Sequence, residues 1–143
     1  MIPVAGILAA IAIPAYADYM VRAHVDEGVH QVTPYKTAIE AAAAGGTPWT
    51  DISTATLAPI QRTASSHIQD IAVDGGVVHV TFGGQGSGTI DGETLTFTPA
   101  VSGTGAVAWV CGYEIPRAGF KAVRADYADG TSIERKYLPP NCR

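Results

Sequence analysis

Cys111 and Cys142 are the residues of this 143-residue sequence best suited to covalent chemistry. Neither belongs to a CxxC pair, and two thiols about thirty positions apart make a poor zinc site. They read as a disulfide formed outside the cytoplasm or, alternatively, as two buried free thiols in a cytosolic protein. An even count beside an export-like N-terminus favours the bridge, which would contribute about 3–4 kcal/mol by closing a loop of that length. His24, His30, His67 and His79 show no ligand spacing, and His24 and His30 fall on different faces of a helix, so all four read as solvated or packed. Asp126 and Asp129 flank a turn and give only a weak calcium-loop signal, and Asp26-Glu27 reads as a polar helix face. Gly83 to Gly88, GGQGSG, lacks the Lys-Ser/Thr ending of a phosphate loop and opens no helix, so it reads as a flexible hairpin loop. No GxSxG occurs. These residues predict no enzyme, no cofactor, no metal and no small-molecule substrate.

The elements that would position such residues differ along the chain. The net charge of −4 disfavours a dedicated nucleic-acid binder, and only Arg135-Lys136 places two basic residues side by side. From Met1 to Ala17 there is no charged side chain; the sixteen Gly and nine Pro lie mostly after residue 44, where they punctuate short strands. The chain is therefore expected to divide into an apolar helical half at 1–20 and a head at 21–143.

Ile2 to Tyr16, IPVAGILAAIAIPAY, favours helix apart from Gly6 and Pro14. Pro3 suits a first turn, whereas Pro14 and Pro34 should each remove a ladder bond and bend the helix. The segment is apolar on every face, so lipid or other protein must cover it. As a helix, residues 1–17 reach about 25 Å at 1.5 Å per residue, somewhat short of the roughly 30 Å hydrocarbon core. The expected lipid or filament contacts are Ile2, Val4, Gly6, Ile7, Leu8, Ile11, Ile13, Pro14, Tyr16 and Met20. Beyond Tyr16 the pattern turns amphipathic, with Val21, Val25, Val29, Val32, Tyr35 and Ile39 forming one stripe that Gly45-Gly46 should end.

Trp49 to Ser66 reads as a long connection. Four runs follow. His67 to Val73 and Val77 to Phe82 flank the turn Asp74-Gly75-Gly76, and Thr94 to Thr98 precedes Ala106 to Cys111. Alternation predicts Val78, Val80, Phe82, Leu95 and Phe97 inward, with the threonines outward. The reading is α+β: a long N-terminal helix packed on a four-stranded antiparallel sheet, with a C-terminal loop closed at 111–142. A short strand is expected at Ser132 to Tyr137. Trp109 reads as a core aromatic, and Arg117, Phe120, Lys121 and Arg124 as the candidates for surface recognition.

GILAAIAIPAYADYMVRA, Gly6 to Ala23, closely resembles the N-terminal helix of type IV pilins of the long-helix class. AVAWVCG at Ala106 to Gly112 and KYLPPNCR at Lys136 to Arg143 look like that family's cysteine-bounded segment. The resemblance implies a lollipop-shaped pilin fold and a homo-oligomeric helical filament with the helix in its core. It implies an inner-membrane anchor before assembly, handling by pilus assembly machinery, and an extracellular fimbrium on the bacterial surface. Adhesion to a host surface, twitching motility or DNA uptake would be its functions. Within a filament, Gly6 to Pro14 can lose helical order in that family. Members carry a basic leader cleaved after a glycine, then an N-methylated phenylalanine and a nearby glutamate. Met1-Ile2-Pro3-Val4-Ala5 stands where that segment would end, so a shortened chain, a misplaced start or a divergent subunit is expected, in that order. The alternatives are a minor pilin or type II secretion pseudopilin and, less favoured, an exported soluble binding module cleaved at Ala17.

Overall fold

The computed structural model describes the backbone of residues 4–61, 67–84 and 88–143 and, within these, the side chains from Asp18 onward. Helix α1 spans Val4–Gln31 and α2 spans Thr33–Ala44. Only Val32 separates them, and its own backbone is right-handed helical at φ −82° and ψ −10°. The interruption falls where Pro34 denies His30 its usual donor, and the ladder resumes when the Lys36 N–H donates to the Val32 carbonyl at 2.9 Å. At Pro14, where a bend is expected, the backbone is helical on both sides. The helix ends at Gly45-Gly46, where the Gly46 and Thr47 N–H groups donate to the Ala43 and Ala42 carbonyls, each at 3.1 Å.

The helical stripe is the one that repeats at three and four residues. Val21, Val25, Val32, Tyr35 and Ile39 are buried and Val29 packs beside them. Against them lie Ile71, Val73, Val78, Val80, Phe82, Leu95 and Phe97 from the sheet. The two layers meet most closely at Gly28. A Cβ built there would sit 2.6 Å from Phe82 Cζ, so only glycine lets the helix backbone lie on that ring.

After a single 3-10 turn at Trp49–Asp51 the chain enters an antiparallel meander. Its strands are β1 Ile68–Asp74, β2 Val77–Phe82, β3 Thr94–Ser102 and β4 Val107–Cys111, in that spatial order. Asp74 pairs with Val77 across the two-glycine turn, and β1 carries a register shift between Ile68 and Asp70. The segment Trp49 to Ser66 is described only to Gln61, and residues 85–87 of the glycine-rich loop lie outside the described residues.

Three expectations need correction. The sheet has a fifth strand, β5 Phe120–Ala122, which pairs with β3 at Ala100 to Ser102 beyond the stretch that β2 occupies. Ser132 to Tyr137 forms no strand. Arg135–Tyr137 is a 3-10 turn, and Pro139-Pro140 follow it and cannot donate to a ladder. The threonines of β3 do not face solvent: Thr96 and Thr98 are each 1% exposed, because residues 126–133 fold back over that face of the sheet. Thr96 Oγ1 lies 2.7 Å from Thr131 Oγ1 and donates to the Tyr127 carbonyl at 3.2 Å. The same cover buries Val77, on the face expected to be polar.

Candidate functional site

The apolar stem is built by α1, whose backbone includes Val4, Gly6, Ile7, Leu8, Ile11, Ile13, Pro14 and Tyr16. The side chains of these residues, and all of Ile2, lie outside the described residues. Where side chains are first described, Tyr19 is 68% and Met20 36% exposed, immediately before Val21 enters the core. Arg22 ties the helix to the C-terminal region by donating from Nε to the Lys136 carbonyl at 2.9 Å. Among the described residues no helix is long and apolar enough to cross a membrane. The transmembrane expectation rests on residues 1–17, whose side chains lie outside the described residues. From Asp18 onward α1 carries Arg22, Asp26 and Glu27, and its mean character is no longer that of a span.

Cys111, ending β4, is disulfide-bonded to Cys142 in a 3-10 turn at Pro140–Cys142, with the Cα atoms 4.6 Å apart. Both are buried. The chain reaches this closure through Gly112, whose φ of +58° favours glycine and whose Cβ, if present, would meet the Cys142 carbonyl oxygen at 2.7 Å. Tyr113 N–H then donates to that same carbonyl at 3.0 Å. The Tyr113 hydroxyl lies within donating distance of the carbonyls of Thr131 (3.1 Å) and Ile133 (3.0 Å), while the Arg135 guanidinium covers its ring at 4.4 Å. Ile133, Tyr137 and Leu138 enter the main core. The cysteine-bounded segment is thus a packed lobe that covers the outer face of the sheet.

The four recognition candidates separate on this lobe. Arg117 is exposed, with its guanidinium 5.8 Å from the ring of half-buried Phe120, and Lys121 projects from β5. Arg124 is engaged elsewhere. Its Nε and Nη2 donate to the two Asp126 oxygens, each at 3.1 Å, and its Nη1 lies 3.6 Å from Asp74. That pair holds the Asp126 carboxyl below the ordinary range through the hydrogen bond from Arg124. Arg124 therefore links the β1–β2 hairpin to the lobe, and Asp126 has a cation already in place. Among the described residues no group of three or more His, Cys, Asp or Glu could hold a metal. A cavity of about 100 Å³ lies beside this pair, lined by His79, Thr96 and Tyr127 among others. Burial holds the His79 imidazole below its ordinary value, opposed by Asp74 and reinforced by Arg124.

Two arrangements escaped sequence reasoning. Trp109 is no simple core aromatic: its Nε1–H donates to Glu40 Oε1 at 2.6 Å, and Lys36 lies 4.8 Å from the Phe97 ring and 5.6 Å from that of Trp109. Burial pulls the Lys36 ammonium below its ordinary value, with Glu40 opposing. The i,i+4 spacing of Lys36 and Glu40 was a legible signal of a shared helix face; their meeting with a strand was not. The second arrangement brings His24 and His67 face to face. Nothing in their spacing announces it. Ile115, 79% exposed beside the lobe's first basic residue, was also unremarked.

Comparison with known proteins covers the whole chain. The family model for pilin, a bacterial filament protein, matches residues 21–143. The chain is similar to the type IV major pilin protein PilE1 of Neisseria gonorrhoeae, 33% identical over 146 residues that span 100% of this chain and 87% of that protein. A fimbrial protein of Neisseria meningitidis serogroup B is 31% identical over 150 residues, covering 100% of this chain and 88% of its own length. The type IV major fimbrial protein FimA of Dichelobacter nodosus is 27% identical over 161 residues, covering 100% and 89%.

Proposed function

Because this chain belongs to the pilin family, we propose that it polymerises through its N-terminal helix into fibres that serve adhesion, twitching motility or DNA uptake. Its relatives are structural proteins, and the chain is a structural pilus subunit that works as a multimer at the cell surface. The observation that carries the assembly reading is the charge-free run Met1 to Ala17, which is helical from Val4 and is followed, after Asp18, by the exposed Tyr19 and Met20. A helix without a polar side must be sheathed, first by the inner membrane and then, after extraction by the assembly machinery, by the same helix of neighbouring copies. Likeness to proteins named major pilins supports a main subunit over a minor pilin or a pseudopilin. Arg117, Phe120 and Lys121 remain the recognition surface of this proposal, displayed on the lobe away from the stem's own requirement for cover.

The reading is tested by placing Asp at Leu8 or at Ile11 and assaying fibres sheared from the cell surface. Each change should abolish recoverable fibres, since a lone carboxylate in an apolar bundle is costly, whereas Lys121→Asp should leave fibre yield unchanged. Wild-type yield from both stem variants would exclude helix-driven assembly.

A further inference from the structure

Arg22 of α1 and Arg143 of the C-terminal turn line one open groove of about 280 Å³, together with Leu138, Pro139 and Pro140. Both arginines are exposed. Each is anchored through Nε: Arg22 donates to the Lys136 carbonyl and Arg143 to the Leu138 carbonyl, each at 2.9 Å. Among the described residues the ion pairs belong to Arg124 and Lys136, and neither groove arginine is in one. Their Nη donors are therefore left in the planar fork that fits a phosphate. Lys136, beside them, is differently placed. Its ammonium lies 3.8 Å from Glu134, and Tyr137 first, with Asp18 and Glu134 adding, holds it above its ordinary value. Lys136 thus answers Asp18 and Glu134, and the two arginines face a single acid in the groove, Asp26.

The groove also stands at a definite height on the stem. Charge is absent up to Ala17, and Arg22 follows five residues later in the same helix, about 7.5 Å along its axis. A bilayer of about 40–45 Å with a hydrocarbon core of about 30 Å has a polar layer of roughly 5–8 Å on each side. A stem buried to Ala17 therefore carries Arg22 into the headgroups, and the Arg22 bond to Lys136 brings the C-terminal turn to the same level. Between them Tyr19 is exposed where an amphipathic ring is favoured. We propose that the Arg22–Arg143 groove binds the phosphate of an anionic phospholipid headgroup and so seats the head on the membrane that holds its stem. This rests on the reading of Met1 to Ala17 as a membrane-held stem. The chain as a whole carries a net charge of −4, so attraction to an anionic surface has to be local. It can be, because exposed charges more than about 8 Å from the surface are largely screened at physiological salt.

The full-length chain is to be transferred from detergent into a mixture of two vesicle types separable by density, phosphatidylcholine alone and phosphatidylcholine with phosphatidylglycerol. Wild type should favour the anionic vesicles. Replacing both arginines, Arg22→Gln with Arg143→Gln, should lower the anionic-to-neutral ratio roughly twenty-fivefold, about fivefold for each basic residue at such a surface. Lys121→Gln should leave the ratio unchanged, since Lys121 pairs with Val101 at the far end of β3 from the Thr81–Thr94 pair. No anionic preference in wild type, or an undiminished ratio in the double variant, overturns the groove and leaves the stem reading intact. Absence of wild type from both vesicle types overturns the stem reading and the groove with it. Should the double variant fail to fold, Asp26→Asn decides, because it removes the groove's acid at an exposed position. A severalfold higher ratio supports headgroup binding, and an unchanged one refutes it.

Discussion

Gly28 shows how much of this fold rests on a missing side chain. It lies within α1 with ordinary helical geometry, so the demand on it is contact alone: Phe82 occupies the space a Cβ would need, with Cε1 at 2.8 Å in addition to Cζ. Gly28→Ala improves helix propensity by just under about 1 kcal/mol but forces a buried ring to shift, at about 1–3 kcal/mol. Net destabilisation is expected, seen as a lower midpoint in thermal unfolding; a higher midpoint would mean that the ring gives way freely. None of this is legible locally. A glycine in a helical pattern looks like a defect until the strand opposite it is known. The His24–His67 stack is hidden in the same way, since it depends on two residues joined only by the closed fold.

Among the elements, the long helix and the four main strands were legible because their apolar residues repeat at periods that local chemistry imposes. Val21 to Ile39 recurs every three or four residues, and Val78 to Phe82 every two, and both sets are buried, Val29 only partly. The reading failed where a later segment covers a face that local pattern marks as polar. Thr96 and Thr98 alternate correctly with Leu95 and Phe97, yet they are buried beneath a lobe contributed by residues some thirty positions on. β5 escaped because three residues are too few to show a period. That lobe is the element most dependent on the bridge. Cys142→Ser should cost about 2–5 kcal/mol under oxidising conditions. Hydrogen exchange should accelerate first at the Gly112, Tyr113 and Ser132 amides, which bond across the lobe. Unchanged exchange there would mean that the Thr96–Thr131 contacts and the Tyr113 hydroxyl hold the lobe unaided.

For the whole molecule, the described head satisfies itself, and the charge-free run Met1 to Ala17 is what we propose needs cover from outside. The sheet has the helix on one face and the lobe on the other, and both disulfide sulfurs are enclosed. The stem offers seventeen residues without a charge, followed by Tyr19 and Met20 still uncovered. The charge-free run was legible in composition, because it is visible without any knowledge of tertiary contacts. What the proposed recognition surface would bind was not legible: Arg117 and Lys121 are ordinary exposed cations until a partner is known, and Arg124 is already held by Asp126. The central claim, that this molecule is incomplete alone, is tested most directly by sedimentation of the native product released from cells without detergent, with its N-terminus sequenced in the same fractions. Chains retaining residues 1–17 should sediment only as fibres or with membrane. A monodisperse particle of 14.8 kDa with those residues intact would contradict the account.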